Sequence, residues 1–197
     1  MKMGDLTNII TIRSNDLKPS KGRILISEPL LNDKFFHRSV VLLVEHNNEG
    51  TFGFIINKPA RVTVDYFLPE LPADAPVYLG GPVSTENLYY IHTSGDLVEE
   101  SIEVMDGLYW GGNMEQIQEL LLIGKMTPAD IKFFIGYSGW MARQLDGEIE
   151  KNSWLVSTIK ASQVMKTAPQ SLWESSLKRV GKEYAYWTKF PEDPQLN

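Results

Sequence analysis

The stretch formed by residues 35–59 constrains the fold more than any other part of the chain. It joins two apolar runs, at 40–44 and 52–56, through the polar sequence Asn-Asn-Glu-Gly at 47–50. Two short apolar runs on either side of a glycine-closed polar turn predict a β-hairpin. The first run, VVLLV, shows no polar alternation, which is typical of a strand buried on both faces. We therefore expect other elements to cover both sides of the sheet that holds this hairpin.

Length and composition are those of one globular domain. The chain has 197 residues, of which 43% are hydrophobic and 22% charged, enough for one substantial core. We assign residues 1–21 to an N-terminal arm and residues 22–197 to a single domain. No window approaches the roughly 18 apolar residues that a membrane span needs, and the first residues lack the apolar segment of a secretory signal. We expect a cytoplasmic protein that does not contact a membrane.

Cysteine content and charge exclude several function classes. The chain contains no cysteine, so disulfides, thiolate catalysis and cysteine-ligated metal centres are excluded. Its net charge of −6 disfavours nucleic acid as a partner, because such binding depends mainly on lysine and arginine. No cofactor is predicted.

Local patterns predict strands and helices in irregular alternation. Helix Asn113 to Gly124 has Asn113 as N-cap and Gln116 at the capping-box position, and Ser138-Gly139 is predicted to open a further helix. The predicted strands span 22–27, 77–79, 87–93, 97–104, 107–111, 131–137 and 154–157, and the predicted helices 62–68, 113–124, 140–149 and 169–180. This order predicts an α+β fold: one domain with a mixed, largely antiparallel β-sheet flanked by helices on both faces.

Templates for catalysis and for metal binding are not met. The sequence has neither a dinucleotide fingerprint nor a P-loop. Gly136-Tyr137-Ser138-Gly139 misses the G-x-S-x-G spacing of a nucleophile elbow by one residue. The three histidines show no metal-binding spacing. No catalytic or metal-binding residue is therefore assigned.

Polar residues at the ends of the hairpin are candidates for a binding site. Ser39, Glu45 and His46 belong to the first strand, and Asn57 and Lys58 follow the second. Since side chains alternate along a strand, Glu45 and His46 should point to opposite faces. These residues are also consistent with ordinary polar strand ends, and His46 with a turn cap.

Two glycine-containing turns supply candidate anion sites. Gly80-Gly81-Pro82 follows a predicted strand and could form a nest of backbone N–H groups, or simply a tight turn. Gly139, at the start of the predicted helix, could leave N–H groups free for a phosphate or carboxylate. Trp140, beside it, could stack on a ring or belong to the core.

Four motifs taken in order resemble one family. They read GRILISEPLLNDKFFHRSVVLLVEHNNEGTFGFIINKP, VYLGGPV, FFIGYSGWMARQL and a later WL, and they lie within residues 22–157. Together they resemble the bacterial AlgH/YqgE family, which carries a transcriptional-regulator label. The resemblance implies an α+β fold with a mixed sheet and transfers no catalytic residue or substrate. The candidate ligand-binding residues that fall in these motifs are Ser39, His46, Asn57, Lys58, Gly80, Gly81, Gly139, Trp140 and Gln144.

We hypothesise a non-enzymatic regulatory or binding protein that recognises a small anion, a nucleotide or a protein partner. One alternative is a hydrolase or transferase that uses Ser39, His46 and Glu45. A second alternative is a DNA-binding regulator, which the acidic charge disfavours. No oligomeric state is predicted.

Overall fold

The structure, a computed structural model, describes residues 15–71 and 75–190. The predicted arm therefore lies largely outside the described residues. The strands are β1 (Ile24–Ser27), β2 (Val40–His46), β3 (Gly50–Ile55), β4 (Pro59–Thr63), β5 (Pro76–Leu79), β6 (Val83–His92), β7 (Ile102–Met105), β8 (Leu108–Trp110), β9 (Ile131–Met141) and β10 (Trp154–Ser157). The α-helices are α1 (Met114–Leu122), α2 (Gln144–Glu150), α3 (Ala161–Lys166) and α4 (Pro169–Val180), with 3₁₀ turns at Val64–Tyr66 and Tyr184–Lys189.

The ten strands form one mixed sheet organised around β9. Its main path runs β10-β1-β2-β3-β9-β6-β8-β7, and β5 joins β9 and β4. The β5–β9 pair is parallel, whereas the other pairs are antiparallel. The fold is thus α+β with a largely antiparallel mixed sheet, as the sequence predicts.

Strands β2 and β3 form the predicted hairpin, and its two faces pack against different layers. Leu42 pairs with Phe54 across the hairpin, and both belong to a core that includes α3, α4 and the second 3₁₀ turn. Val41 pairs with Ile55, and both belong to the core that includes α2. Alternation along each strand explains this division. The prediction that both faces of the hairpin are covered is confirmed.

Helix α1 covers a third core on the other half of the sheet. Its Ile117 and Leu121 pack with Val77 of β5 and Phe133 of β9. Asn113 caps the helix as predicted, because its side chain accepts hydrogen bonds from the Glu115 and Gln116 N–H groups. The predicted capping box is not formed, since the Gln116 side chain instead accepts a hydrogen bond from the Glu99 N–H.

The predicted helix start at Ser138-Gly139 is wrong. Strand β9 continues through both residues to Met141, and α2 begins only at Gln144. The physical reason is non-local pairing, since residues 138–141 pair with residues 50–53 of β3. Ser138 consequently does not cap a helix, and its hydroxyl donates to the Gly80 carbonyl at 3.0 Å.

Smaller differences between the predicted and observed elements lie at the periphery of the fold. The predicted strand 97–104 is limited to β7, and the predicted helix 62–68 is replaced by β4 and a 3₁₀ turn. Helix α3 is not predicted by any local pattern. The predicted strand at 154–157 and helix at 169–180 are confirmed at their residues. Tertiary pairing overrides weak local propensity where the elements are short.

Candidate functional site

The polar residues at one end of the hairpin stabilise the loop that precedes β2. We call this end the base, residues 35–40 and 56–58. Asn57 accepts a hydrogen bond from the Val40 N–H at 2.8 Å and donates to the Arg38 carbonyl at 3.0 Å. Arg38 has a positive φ of 48°, a conformation that needs support in a residue with a side chain. Asn57 therefore fixes the loop geometry.

Ser39 and Lys58, also in the base, contact neighbouring residues, and among the described residues the buried Ser39 hydroxyl has no hydrogen-bond partner. Ser39 is fully buried, and its N–H donates to the Ser27 hydroxyl at 2.8 Å. The Lys58 ammonium donates to the Phe35 carbonyl at 2.6 Å. Burial lowers the pKa of Lys58, and the nearby Asp33 carboxylate acts in the opposite direction. The base is a scaffold for the loop rather than an open site.

Ser39 and His46 lie at opposite ends of the β2 region. Seven residue steps of extended chain separate them, which corresponds to roughly 23 Å. A nucleophile and its general base must lie within hydrogen-bond reach of each other. The Ser39, His46 and Glu45 arrangement of a hydrolase is therefore not formed.

Gly80 and Gly81 mark a close backbone crossing. A Cβ atom on Gly80 would lie 2.2 Å from the Gly136 carbonyl oxygen, and one on Gly81 2.2 Å from the Tyr137 carbonyl oxygen. The Gly80 N–H already donates to the Ile135 carbonyl at 2.9 Å. This N–H group is therefore not available to the predicted nest. The close crossing explains why residue 80 is glycine.

The other end of the hairpin, which we call the tip, comprises residues 45–52. Asn47 closes its turn, because the side-chain oxygen accepts hydrogen bonds from the Glu49 and Gly50 N–H groups. The Asn47 amide also donates to the Glu45 carboxylate at 2.6 Å. The Nδ1 atom of His46 lies 2.8 Å from the Thr51 hydroxyl. Glu45 pairs with Phe52 and His46 with Thr51 across the hairpin, so the two side chains lie on opposite faces, as predicted.

A polar pocket of about 570 Å³ lies on the His46 side of the tip. The first residues of α2 and the residue before them form its opposite wall. Arg143, at this junction, has a positive φ of 63°. The pocket is lined by His46, Asn47, Asn48, Gly50, Thr51, Arg143, Leu145 and Asp146. Arg143 and Asp146 lie within two residues of the predicted Gln144. They are not predicted themselves, because no local sequence pattern places α2 beside the tip.

A second cavity, of about 490 Å³, lies on the Glu45 side, and we call it the acidic groove. It contains three of the predicted residues, Gly139, Trp140 and Gln144. Its lining is Glu45, Asn47, Glu49, Gly50, Thr51, Phe52, Val83, Tyr137, Gly139, Trp140, Met141 and Gln144. Of the nine predicted residues, four thus line the two cavities at the tip, and five lie elsewhere.

Trp140 and Gln144 are held by the carboxylate of Glu148. One oxygen of this carboxylate accepts hydrogen bonds from the indole N–H groups of Trp140 and Trp154, each at 2.8 Å. The other oxygen accepts from the Gln144 amide at 3.1 Å. Trp140 is buried, so its ring forms part of the core wall and is not a platform for stacking.

Within residues 15–71 and 75–190, no three histidine, aspartate or glutamate side chains are grouped closely enough to hold a metal ion. Among the helices in those ranges, none combines the length and apolar character needed to cross a membrane.

Sequence comparison places the whole fold within one group of proteins. A family model described as AlgH-like matches residues 24–185. A UPF0301 protein of Parabacteroides distasonis is 41% identical, and the alignment covers 99% of this chain and 100% of that protein. A UPF0301 protein of Bacteroides thetaiotaomicron is 40% identical over 97% of this chain and 98% of its own length.

Two solved structures share the fold. A crystal structure of a Corynebacterium diphtheriae protein superposes with a TM-score of 0.75 at 22% identity, covering 93% of this chain and 97% of that one. The solution structure of the AlgH protein from Pseudomonas aeruginosa superposes with a TM-score of 0.69 at 26% identity, covering 90% and 98%.

Proposed function

The chain belongs to the AlgH-like family, and we propose that it is a non-enzymatic binding protein that holds a small anionic ligand in the polar pocket at the hairpin tip. The observation that carries the proposal is the convergence of Arg143 and His46 on one cavity. The two residues come from distant parts of the sequence and meet only in the fold. This meeting distinguishes the tip from the base, where the side chains of Asn57 and Lys58 donate to carbonyl groups of the loop.

Arg143 supplies the main attraction for an anion. Among the residues that the structure describes, no carboxylate forms an ion pair or hydrogen bond with its guanidinium. A planar guanidinium matches the geometry of a phosphate or carboxylate and binds it through two parallel hydrogen bonds. An arginine that is exposed to a cavity and has no internal counter-ion is therefore suited to a ligand.

The remaining lining supports a polar ligand body. Asn47 and Asn48 contribute amide groups, Asp146 a carboxylate, and Leu145 an apolar surface. The volume lies within the roughly 300–1,000 Å³ typical of small-molecule sites. Asp146 would accept hydrogen bonds from hydroxyl or amino groups of the ligand, so we propose a phosphate- or carboxylate-bearing molecule with polar substituents, such as a nucleotide.

The proposal is tested by nuclear magnetic resonance titration with inorganic phosphate and adenosine monophosphate. We expect shifts of the Thr51, Arg143 and Asp146 amides. Arg143→Gln should weaken binding about tenfold, because a charged hydrogen bond contributes about 1.5–3 kcal/mol. Arg61→Gln, at an exposed position on β4, is the matched control and should bind as the wild type does. Equal affinities of the two variants, or no shifts at the tip, would reject the proposal.

A second candidate, a hydrolase, is favoured by the 2.8 Å contact between His46 Nδ1 and the Thr51 hydroxyl. A hydroxyl in contact with a ring nitrogen is the arrangement of a nucleophile and its base. Thr51 is, however, buried and pairs directly with His46 across the hairpin, as ordinary cross-strand neighbours do. Ester hydrolysis that is lost in Thr51→Val, with the fold intact, would support this candidate over simple binding.

A further inference from the structure

We propose that the acidic groove on the opposite side of the tip binds a basic, extended segment of a partner protein. The groove is lined by Glu45, Glu49 and aromatic residues that do not line the polar pocket, and it shares Asn47, Gly50 and Thr51 with that pocket. The inference therefore does not rest on the proposed small-ligand function. It is carried by four features of the groove: its charge, its rings, its apolar rim and a strand edge.

The charge of the groove selects a cationic partner. Glu45 and Glu49 both contribute to its lining. In the described part of the chain, neither carboxylate has an ion-pair partner. Glu45 accepts a hydrogen bond from the Asn47 amide at 2.6 Å, which favours one orientation of its carboxylate. Two carboxylates in one groove attract lysine or arginine side chains and repel phosphate-bearing partners.

Aromatic rings add to this selection. Phe52 and Tyr137 line the groove, and their ring centroids lie 4.8 Å apart at an interplanar angle of 62°. The cluster continues from Phe52 to Trp110 and Tyr89, at 5.3 and 6.4 Å. A guanidinium or ammonium is attracted to the face of such rings. Carboxylates and ring faces in one groove are thus complementary to a basic side chain.

The rim of the groove favours a protein segment over a free small cation. Met141 is 77% exposed and Val83 36% exposed, and both line the groove. Exposed apolar side chains bordered by polar residues are typical of protein interaction sites. A free small molecule is usually enclosed over most of its surface, which a groove with such an exposed rim does not provide.

The end of β9 supplies a strand edge along the groove. Strand β6 pairs with β9 only as far as the Val83–Tyr137 pair, whereas β9 continues to Met141 paired with β3. The Met141 N–H donates to the Gln144 side chain at 3.0 Å, so a side chain takes the place of a neighbouring strand there. Gly139, between these points, is exposed. An extended segment could add to this edge at Gly139 in the manner of β-strand addition. Phe52 pairs with both Gly139 and Glu45, so a long basic side chain of the segment would extend across Phe52 towards Glu45.

The test uses the peptide acetyl-Val-Arg-Val-Arg-Val-amide and the full-length protein. We expect shifts of the Phe52, Gly139 and Met141 amides and a dissociation constant below about 1 mM. Glu45→Gln/Glu49→Gln should weaken binding about tenfold, since it removes both charges. The control Glu115→Gln/Glu119→Gln changes the net charge equally at exposed positions of α1 and should leave the affinity unchanged. Arg143→Gln should also leave it unchanged.

Further binding measurements distinguish a basic protein segment from a small cation and from a second copy of the chain. A peptide with glutamate in place of both arginines should not bind, and free arginine should bind at least about tenfold more weakly than the peptide. Equal binding of free arginine would assign the groove to a small cation and overturn the proposal. Self-association that the double variant abolishes would assign it to a second copy of the chain and would also overturn it. If the double variant does not fold, Glu49→Gln alone serves, because Glu49 is exposed in the turn. Unchanged affinity in the folded variant would overturn the proposal.

Discussion

The base and the tip of the β2–β3 hairpin have similarly polar sequences but differ in what surrounds them. At the base, Asn57 and Lys58 donate to carbonyl groups of the loop before β2. At the tip, His46 and Glu45 line cavities on opposite faces. A polar strand end is therefore scaffold where a loop folds back over it, and is available to a ligand where the sheet ends in solvent. Substitutions at the base should change stability, whereas those at the tip should change binding.

The largest expected effect comes from a pair of glycines. Gly80 accepts a hydrogen bond from the Ile55 N–H near the base, and a Cβ there would lie 2.2 Å from the backbone oxygen of Gly136. Gly80→Ala should lower the free energy of unfolding by about 3 kcal/mol or more, because backbone atoms must move. Gly139, beside the tip, is exposed, and a Cβ there would lie 3.1 Å from the edge of the Tyr137 ring.

Gly139→Ala is the matched control and should change the free energy of unfolding by less than about 0.5 kcal/mol. Chemical denaturation of both variants checks this expectation. Similar losses of stability in the two variants would contradict the close backbone crossing assigned to Gly80.

The second effect is a pH dependence of stability that arises from a lysine buried in the sheet. Lys132 is 4% exposed, its ammonium donates to the Tyr78 hydroxyl at 3.1 Å, and burial lowers its pKa from 10.5 to about 8. Between pH 8 and 10.5 the folded state has lost this proton while the unfolded chain retains it. The unfolded state then binds more protons, so the free energy of unfolding rises with pH by up to about 3 kcal/mol.

Lys132→Met removes the titrating amine and should lack this rise. Urea denaturation of both proteins from pH 7 to 10.5 measures the difference, and the subtraction removes contributions from other groups. Identical pH profiles would show that Lys132 keeps its ordinary pKa in the fold.

The third prediction compares the loss of stability on substituting two asparagines that each make side-chain hydrogen bonds to the backbone. Asn57→Ala leaves the Val40 N–H without its partner and releases Arg38, whose φ is positive. We expect a loss of about 2 kcal/mol, since an unsatisfied buried donor costs about 1–3 kcal/mol. Asn47→Ala, at the exposed turn, should cost less than about 1 kcal/mol because water replaces its bonds. Thermal unfolding of both variants should show the larger shift for Asn57→Ala.

Local patterns predict the elements that are continuous in sequence. The hairpin, α4 and β10 follow from apolar runs, a glycine-closed turn and a proline at the start of a helix. The helix predicted from residue 140 fails because residues 138–141 pair with β3, about 90 positions earlier in the chain. A local window contains no information on that partner.

The candidate site divides in the same way. His46, Gly139, Trp140 and Gln144 line the two cavities at the tip, and the sequence predicts all four because they belong to recognisable motifs. Arg143 and Asp146 are missed because only the packing of α2 brings them to His46. Ser39, Asn57 and Lys58 are also predicted to bind a ligand, but they lie in the base. Polar residues in a sequence do not show which strand end a loop will cover.

The most direct test of the division measures the affinity for adenosine monophosphate in two cation variants, Arg143→Gln at the tip and Lys58→Gln at the base. Isothermal titration calorimetry should show affinity about tenfold weaker for Arg143→Gln. Lys58→Gln should bind as the wild type does and lose about 1 kcal/mol of stability, since it weakens the bond to Phe35. Weaker binding in Lys58→Gln together with unchanged binding in Arg143→Gln would place the ligand at the base and contradict the account.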